Sequence, residues 1–234
     1  LCDNIQTDQR ETTEEKMPMT NPQPDGYLAI PSRGKGRAVL VLHAWWGLND
    51  TMRAFCKRLA DAGFTAFAPD LYHGKIADNI AKAETLSDAL TDEQARGDVA
   101  EATRFLIERA GQTENGLAVI GFSLGAYYAL DLSISDPEHI RNVVIYYGTR
   151  PGGYSNSKAA YLGHFAEKDE YEPRPNVDEL EEALKRANRP VTFYHYDGTG
   201  HWFCESDRTQ AYNHEAASLA WARTLTFLKR TIDS

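Results

Sequence analysis

The chain has 234 residues, of which 42% are hydrophobic and 25% charged, with a formal net charge of −9. That length buries a large core without disulfide or metal staples, and the composition is that of a folded globular domain. The acidity opposes binding to nucleic acid, and no stretch approaches the roughly 20 apolar residues of a membrane span.

The chain carries no basic stripe or RNA-binding signature. Cys2, Cys56 and Cys204 are odd in number and lack C-x-x-C spacing, so no disulfide framework is expected. No tight cluster of His, Cys and carboxylates suggests a metal site, and no cofactor motif is visible. Without an apolar leader in residues 1–24, the expected location is cytoplasmic.

In chain order, residues 1–24 are polar and contain Pro18, Pro22 and Pro24, which reads as a flexible arm before a single domain over 25–234. "AVLVLH" (38–43) is a short apolar run, expected to be a buried strand. "TMRAFCKRLADAG" (51–63) reads as a helix that ends on Gly63. "FTAFAPDLY" (64–72) is a second strand, terminated by Pro69. Residues 73–90 are expected to form either a small lid or a packed helix. "TDEQARGDVAEATRFLIERAG" (91–111) opens on Thr91 as N-cap, and Ala95, Val99, Ala102 and Leu106 share one face.

"LAVIGF" (117–122) is a third buried strand, followed by a helix that Asp136-Pro137 breaks. "NVVIYYG" (142–148), "AAYLGHF" (159–165) and "PVTFYHYD" (190–197) are further strands, with a helix over 177–188 between the last two. In the final helix Ala217, Trp221, Leu225, Leu228 and Ile232 would line one stripe. Strands alternating with helices predict a mainly parallel α/β sheet covered on both faces.

Gly121-Phe122-Ser123-Leu124-Gly125 matches G-x-S-x-G at a strand-to-helix junction, the context that gives this short motif its meaning. A sharp turn there lifts the serine clear of the sheet, and the glycines let neighbouring backbone pass close by. The plain alternative is a tight turn carrying a solvent serine.

A serine needs a base to take its proton. Of seven histidines, only His201 sits in a Gly-rich loop directly after a strand, in "YDGTGHWF". His195 lies within a strand, His139 and His214 read as surface helix residues, and His43 should hydrogen-bond locally beneath the site. The orienting acid is expected after the strand at 159–165. Asp169 is favoured, with Glu167 and Glu170 as rivals. Backbone N–H groups of Leu124 and Trp45 would form an oxyanion hole. The indoles of Trp45 and Trp46, with Trp202, are candidate walls of a substrate pocket.

"HAWWGLND", "APDLYHG", "GFSLGA", "EKDEYEP" and "GHWF" occur here in the order of the dienelactone hydrolase family, which the chain resembles over roughly residues 25–234. The resemblance implies an α/β-hydrolase fold, with Ser123 as nucleophile, Asp169 as acid, His201 as base, and the Leu124 and Trp45 amides as the oxyanion hole. Dienelactone-cleaving members carry Cys where Ser123 stands and Glu where Ala44 stands. Their substrate-binding Arg after the catalytic His is matched here by Glu205, with Arg208 slightly further on. An acid at 205 would repel an anionic lactone, which favours a neutral ester or related acyl substrate.

The expected activity is hydrolysis of a small carboxylic ester or lactone through an acyl-enzyme. A non-catalytic binding protein on the same scaffold, or acyl transfer or peptide cleavage by the same triad, are the alternatives.

Overall fold

The structure is a computed structural model and describes residues 22–110 and 116–230. The arm expected over 1–24 lies, through residue 21, outside the described residues, as does Ile232 of the final helical stripe.

Among the described residues seven strands form one sheet in the order β1-β3-β2-β4-β5-β6-β7. They are β1 (Gly26–Ala29), β2 (Arg37–Leu42), β3 (Phe64–Pro69), β4 (Leu117–Phe122), β5 (Ile140–Tyr146), β6 (Ala160–Ala166) and β7 (Val191–Tyr196). β1 pairs antiparallel with β3, and every other pairing is parallel. Side chains of the central strands alternate between two cores. Val39, Val41, Ala118, Ile120 and Val144 face one cluster, while Ala38, Leu40, Val119, Val143 and Ile145 face the other. This burial on both faces is why these strands read as continuous apolar runs.

Among the described residues six helices accompany the sheet: α1 (Asp50–Asp61), α2 (Ile80–Ala89), α3 (Asp92–Ala110), α4 (Leu124–Ser135), α5 (Arg174–Arg186) and α6 (His214–Arg230). α1 and α6 cover the first face, and α3, α4 and α5 the second. α3 begins as expected at Thr91. The Thr91 hydroxyl accepts from the Gln94 amide, and the Gln94 side chain accepts from the Thr91 amide, a reciprocal cap. Asn49 caps α1 in the simpler way, accepting from the Met52 amide.

Several expectations are corrected. β1 was not anticipated, because "GYLA" is a four-residue edge strand, mostly half-buried, without an apolar run. The fully buried line of α6 is Ala216, Ala220, Thr224 and Leu228, so the expected stripe is met at Leu228, while Ala217, Trp221 and Leu225 lie half-buried one residue beside it. Within that line Thr224 is a polar residue held inside, its hydroxyl bonding both His164 Nε2 (3.0 Å) and the Tyr146 hydroxyl (2.7 Å). His139 lies in the turn between α4 and β5, not in a helix, where Nδ1 meets Asp136 at 2.7 Å. Residues 80–89 are a helix capped by Asn79, which buries only Ala83.

β2 is flanked by β3 on one side and β4 on the other, so the chain reverses its winding direction there. In sheets of this kind the ends of the strands at such a reversal are the usual place for a ligand.

Candidate active site

Ser123 follows β4 directly, with φ 50° and ψ −111°. A non-glycine residue in that region is strained, at a cost of order 1–3 kcal/mol. The strain is held from outside. The Ser123 amide donates to the Tyr146 carbonyl at 2.9 Å, and its own carbonyl accepts from Ala126 at 2.8 Å as α4 begins. Gly125 lets α4 press onto the end of β2, because a Cβ there would run into the carbonyls of Leu42 and His43. This close approach sets the loop after β2 beside the first turn of α4.

His201 stands in the turn after β7, and its imidazole bridges two groups. Nε2 lies 2.9 Å from Ser123 Oγ, and Nδ1 lies 2.8 Å from both carboxyl oxygens of Asp169. Asp169 offers only acceptors, so Nδ1 carries the proton, and Nε2 is left to accept from the serine hydroxyl. The side chains of His201 and Asp169 are only 4% and 6% exposed.

Asp169 is fixed by its own loop: Oδ1 also accepts from the amides of Tyr171 (3.0 Å) and Glu172 (2.9 Å). The loops after β6 and β7 are tied together by Lys168 N–H to the Thr199 carbonyl (3.1 Å). Of the two rival acids, Glu167 instead accepts from the Gly198 amide at 2.7 Å, and Glu170 is exposed. The structure thus brings together Ser123, His201 and Asp169, from three separate loops.

The Trp45 and Leu124 amides meet no acceptor among the described residues. The loop that carries Trp45 is anchored by His43, which is wholly buried. His43 Nδ1 donates to the Ala44 carbonyl (2.8 Å), and Nε2 accepts from the Leu71 amide (3.2 Å). Burial lowers the pKa of His43, in keeping with a neutral ring that uses both nitrogens.

Aromatic rings surround the imidazole. Tyr171 lies 5.2 Å from His201, 4.8 Å from Trp202 and 5.8 Å from Trp45, and Trp202 lies 5.1 Å from His201. Tyr171 is 42% exposed at the mouth, and Trp45 and Trp202 are half-buried. Trp46 corrects its expected role. It is 2% exposed, packed edge-on to Trp202 and capped by the Arg208 guanidinium 4.1 Å above its ring, so it belongs to the core.

Glu205 corrects another expectation. It is wholly buried, accepts from the Tyr147 hydroxyl at 2.9 Å, and presents no charge to the mouth of the site. Burial pushes its carboxyl up to about 8. The repulsion anticipated for an anionic lactone therefore has no basis at this position. Tyr147 and Tyr171 were missed in the sequence. The Tyr-Tyr-Gly at the end of a predicted strand was the one local signal for Tyr147. Among the described residues no group of His, Cys and carboxylates is placed to hold a metal ion, and no helix is long and apolar enough to cross a membrane.

A mainly parallel sheet flanked by helices, with a serine on a strained strand-to-helix turn hydrogen-bonded to a loop histidine, defines an α/β hydrolase. Residues 25–232 match the model of the dienelactone hydrolase family, and the chain belongs to that family of carboxylic ester hydrolases. It is 31% identical over 214 residues to "Protein usf" of Aquifex pyrophilus, covering 87% of this chain and 92% of that protein. It is 30% identical to the "Probable 2-oxo-3-(5-oxofuran-2-ylidene)propanoate lactonase" of a Bradyrhizobium species, covering 87% and 88%. Among solved structures, the "Putative Dienelactone Hydrolase" of Klebsiella pneumoniae superposes with a TM-score of 0.76 at 25% identity, covering 86% and 90%.

Proposed function

We propose that the chain hydrolyses a small carboxylic ester or lactone through an acyl-enzyme on Ser123. The single observation that carries this reading is the hydrogen-bonded line from Ser123 Oγ through His201 to Asp169. His201 Nε2 takes the hydroxyl proton as Oγ attacks the carbonyl. Asp169 keeps the imidazole in the tautomer that leaves Nε2 free and stabilises the imidazolium that forms. The amides of Leu124 and Trp45 receive the negative charge on the former carbonyl oxygen, a contribution of about 3–4 kcal/mol per donor.

The same imidazolium then gives its proton to the leaving alcohol oxygen. In a lactone that oxygen stays attached to the acyl chain. A water molecule, deprotonated by His201, attacks the acyl carbonyl and restores Ser123.

Trp45, Tyr171 and Trp202 form an apolar, ring-lined mouth, which suits an uncharged acyl or alcohol group. With Glu205 turned inward, a lactone remains as admissible as an open ester. The Bradyrhizobium relative, named as a lactonase, supports including lactones in the substrate class.

The test is hydrolysis of p-nitrophenyl acetate and of simple aryl-substituted lactones by the wild-type chain and by Ser123→Ala. Turnover that disappears in Ser123→Ala is the expected result. Undiminished turnover by that variant would remove Ser123 from the chemistry.

A further inference from the structure

Tyr147 is the first residue past β5 and is strained at φ 38°, a conformation uncommon for a bulky side chain. It is also completely buried. Its ring packs against His201 at a centroid distance of 4.9 Å, and against Phe203 at 5.5 Å and Phe122 at 6.2 Å. The hydroxyl at the far end of the ring donates to Glu205 Oε1 at 2.9 Å.

Glu205 closes the turn that follows His201, its amide donating to the Trp202 carbonyl at 2.9 Å. The residues on either side of Tyr147 reach the nucleophile, while its own amide donates to the His164 carbonyl at 2.8 Å. The amide of Ser123 donates to Tyr146, and a Cβ on Gly148 would stand 2.6 Å from the Ser123 carbonyl oxygen. Tyr146 and Gly148 therefore meet the backbone of Ser123 through their main chain, and Tyr147 between them reaches the turn of His201 through its side chain.

Nothing in the packing alone calls for an acid at 205. Its Oε2 has no protein partner among the described residues, and burying an unpaired polar atom costs about 1–3 kcal/mol. A leucine would spare that cost but would leave the Tyr147 hydroxyl without an acceptor. Burial and the neighbouring Glu205 both raise the pKa of Tyr147, which keeps the phenol protonated and donating.

We propose that Tyr147 and Glu205 form a strut that holds the imidazole of His201 at its working distance from Ser123, acting as positioning residues that touch no substrate. Because the strut acts on the proposed base, it rests on the reading of Ser123, His201 and Asp169 as the reacting set. Without the hydroxyl, the Tyr147 ring is still present but unpinned, and the His201 turn loses its tie to the end of β5. Substrate binding at the mouth is untouched, so the effect falls on kcat and not on KM.

The experiment compares steady-state p-nitrophenyl acetate hydrolysis by Tyr147→Phe, Glu205→Ala, Glu205→Gln and Tyr147→Phe/Glu205→Ala, with thermal unfolding of each. Misplacing a catalytic group by about 1 Å costs on the order of 100-fold. The expected result is a fall in kcat of roughly 10- to 100-fold for Tyr147→Phe, with KM within about twofold. Glu205→Ala should match it, the double variant should be no worse than either single one, and Glu205→Gln, which keeps an acceptor for the hydroxyl, should recover most of the rate.

Wild-type kcat in Tyr147→Phe, or single effects that multiply in the double variant, would overturn the strut. So would a loss that appears only as lower thermal stability. Ser123→Ala measured alongside separates the two failures. If that variant still turns over, the reading of the site falls and the strut with it; if it is inactive while Tyr147→Phe is unaffected, only the strut falls.

Discussion

Replacing Glu205 by glutamine should make the protein more stable in alkali than the wild type, by an amount the structure sets. Glu205 is fully buried, and burial moves its pKa from 4.5 up to about 8. Asp207 adds to the rise, while the Tyr147 hydrogen bond and Arg208 oppose it. Between about pH 4.5 and 8 the folded chain holds a proton at this site that the unfolded chain has released. Stability from this group is therefore complete below pH 4.5 and is lost as pH rises toward 8.

At ~1.36 kcal/mol per pH unit, the whole interval is worth about 5 kcal/mol, and the stretch from pH 6.5 to 8 about 2 kcal/mol. Glutamine has nearly the same shape, keeps an oxygen for the Tyr147 hydroxyl and cannot ionise. The assay is urea unfolding of wild type and Glu205→Gln at several pH values. The difference between the two proteins cancels every other titrating group. That difference should move in favour of the variant by about 2 kcal/mol between pH 6.5 and 8.5. A difference that stays flat across that range would show that Glu205 is already ionised near neutrality, and would refute the reasoning.

Three further outcomes follow from the same contacts. His164 is buried against Tyr196 and Thr224, and burial lowers its pKa from 6.5 to about 3, so its contribution is complete above pH 6.5 and lost on acidification; acid unfolding of a His164→Gln variant should be visibly less steep between pH 6 and 4. Gly125→Ala should destabilise the fold by about 1–3 kcal/mol and lower the esterase rate, because the new methyl meets the backbone of Leu42 and His43, which cannot retreat; unchanged urea midpoint and rate would contradict that packing. Iodoacetamide near neutral pH should leave hydrolysis unchanged, since burial raises Cys56 to about 12 and Cys204 well above 9; inactivation that tracks modification of either thiol would point to a sulfur nucleophile.

The layout of the sheet was legible in the sequence because its central strands are buried on both faces and its helices begin at recognisable caps such as Thr91. The three-residue line from Ser123 to Asp169 was legible for a different reason. Each member sits at the end of a strand that could be placed, and the sheet delivers those ends to one rim.

What escaped was everything decided by burial between distant segments. Glu205 reads as a surface charge beside a catalytic loop, yet its partner Tyr147 lies 58 positions away and draws it inside. Trp46 reads as a pocket wall beside Trp45, but the turn faces one indole outward and the other into the core. Thr224 breaks an apolar stripe until His164 and Tyr146 are seen to hold it. β1 offers no apolar run at all, and only the free edge of β3 explains why it forms.

The activation of Ser123 by His201 is tested most directly by covalent labelling with a fluorophosphonate, followed by mass spectrometry of the intact chain and its peptides. The wild type should acquire one adduct, on Ser123, at a rate reduced by at least about 1,000-fold in His201→Ala and by a comparable order in Asp169→Asn. An adduct on another residue, or labelling of Ser123 at the same rate with and without the imidazole of His201, would contradict the account.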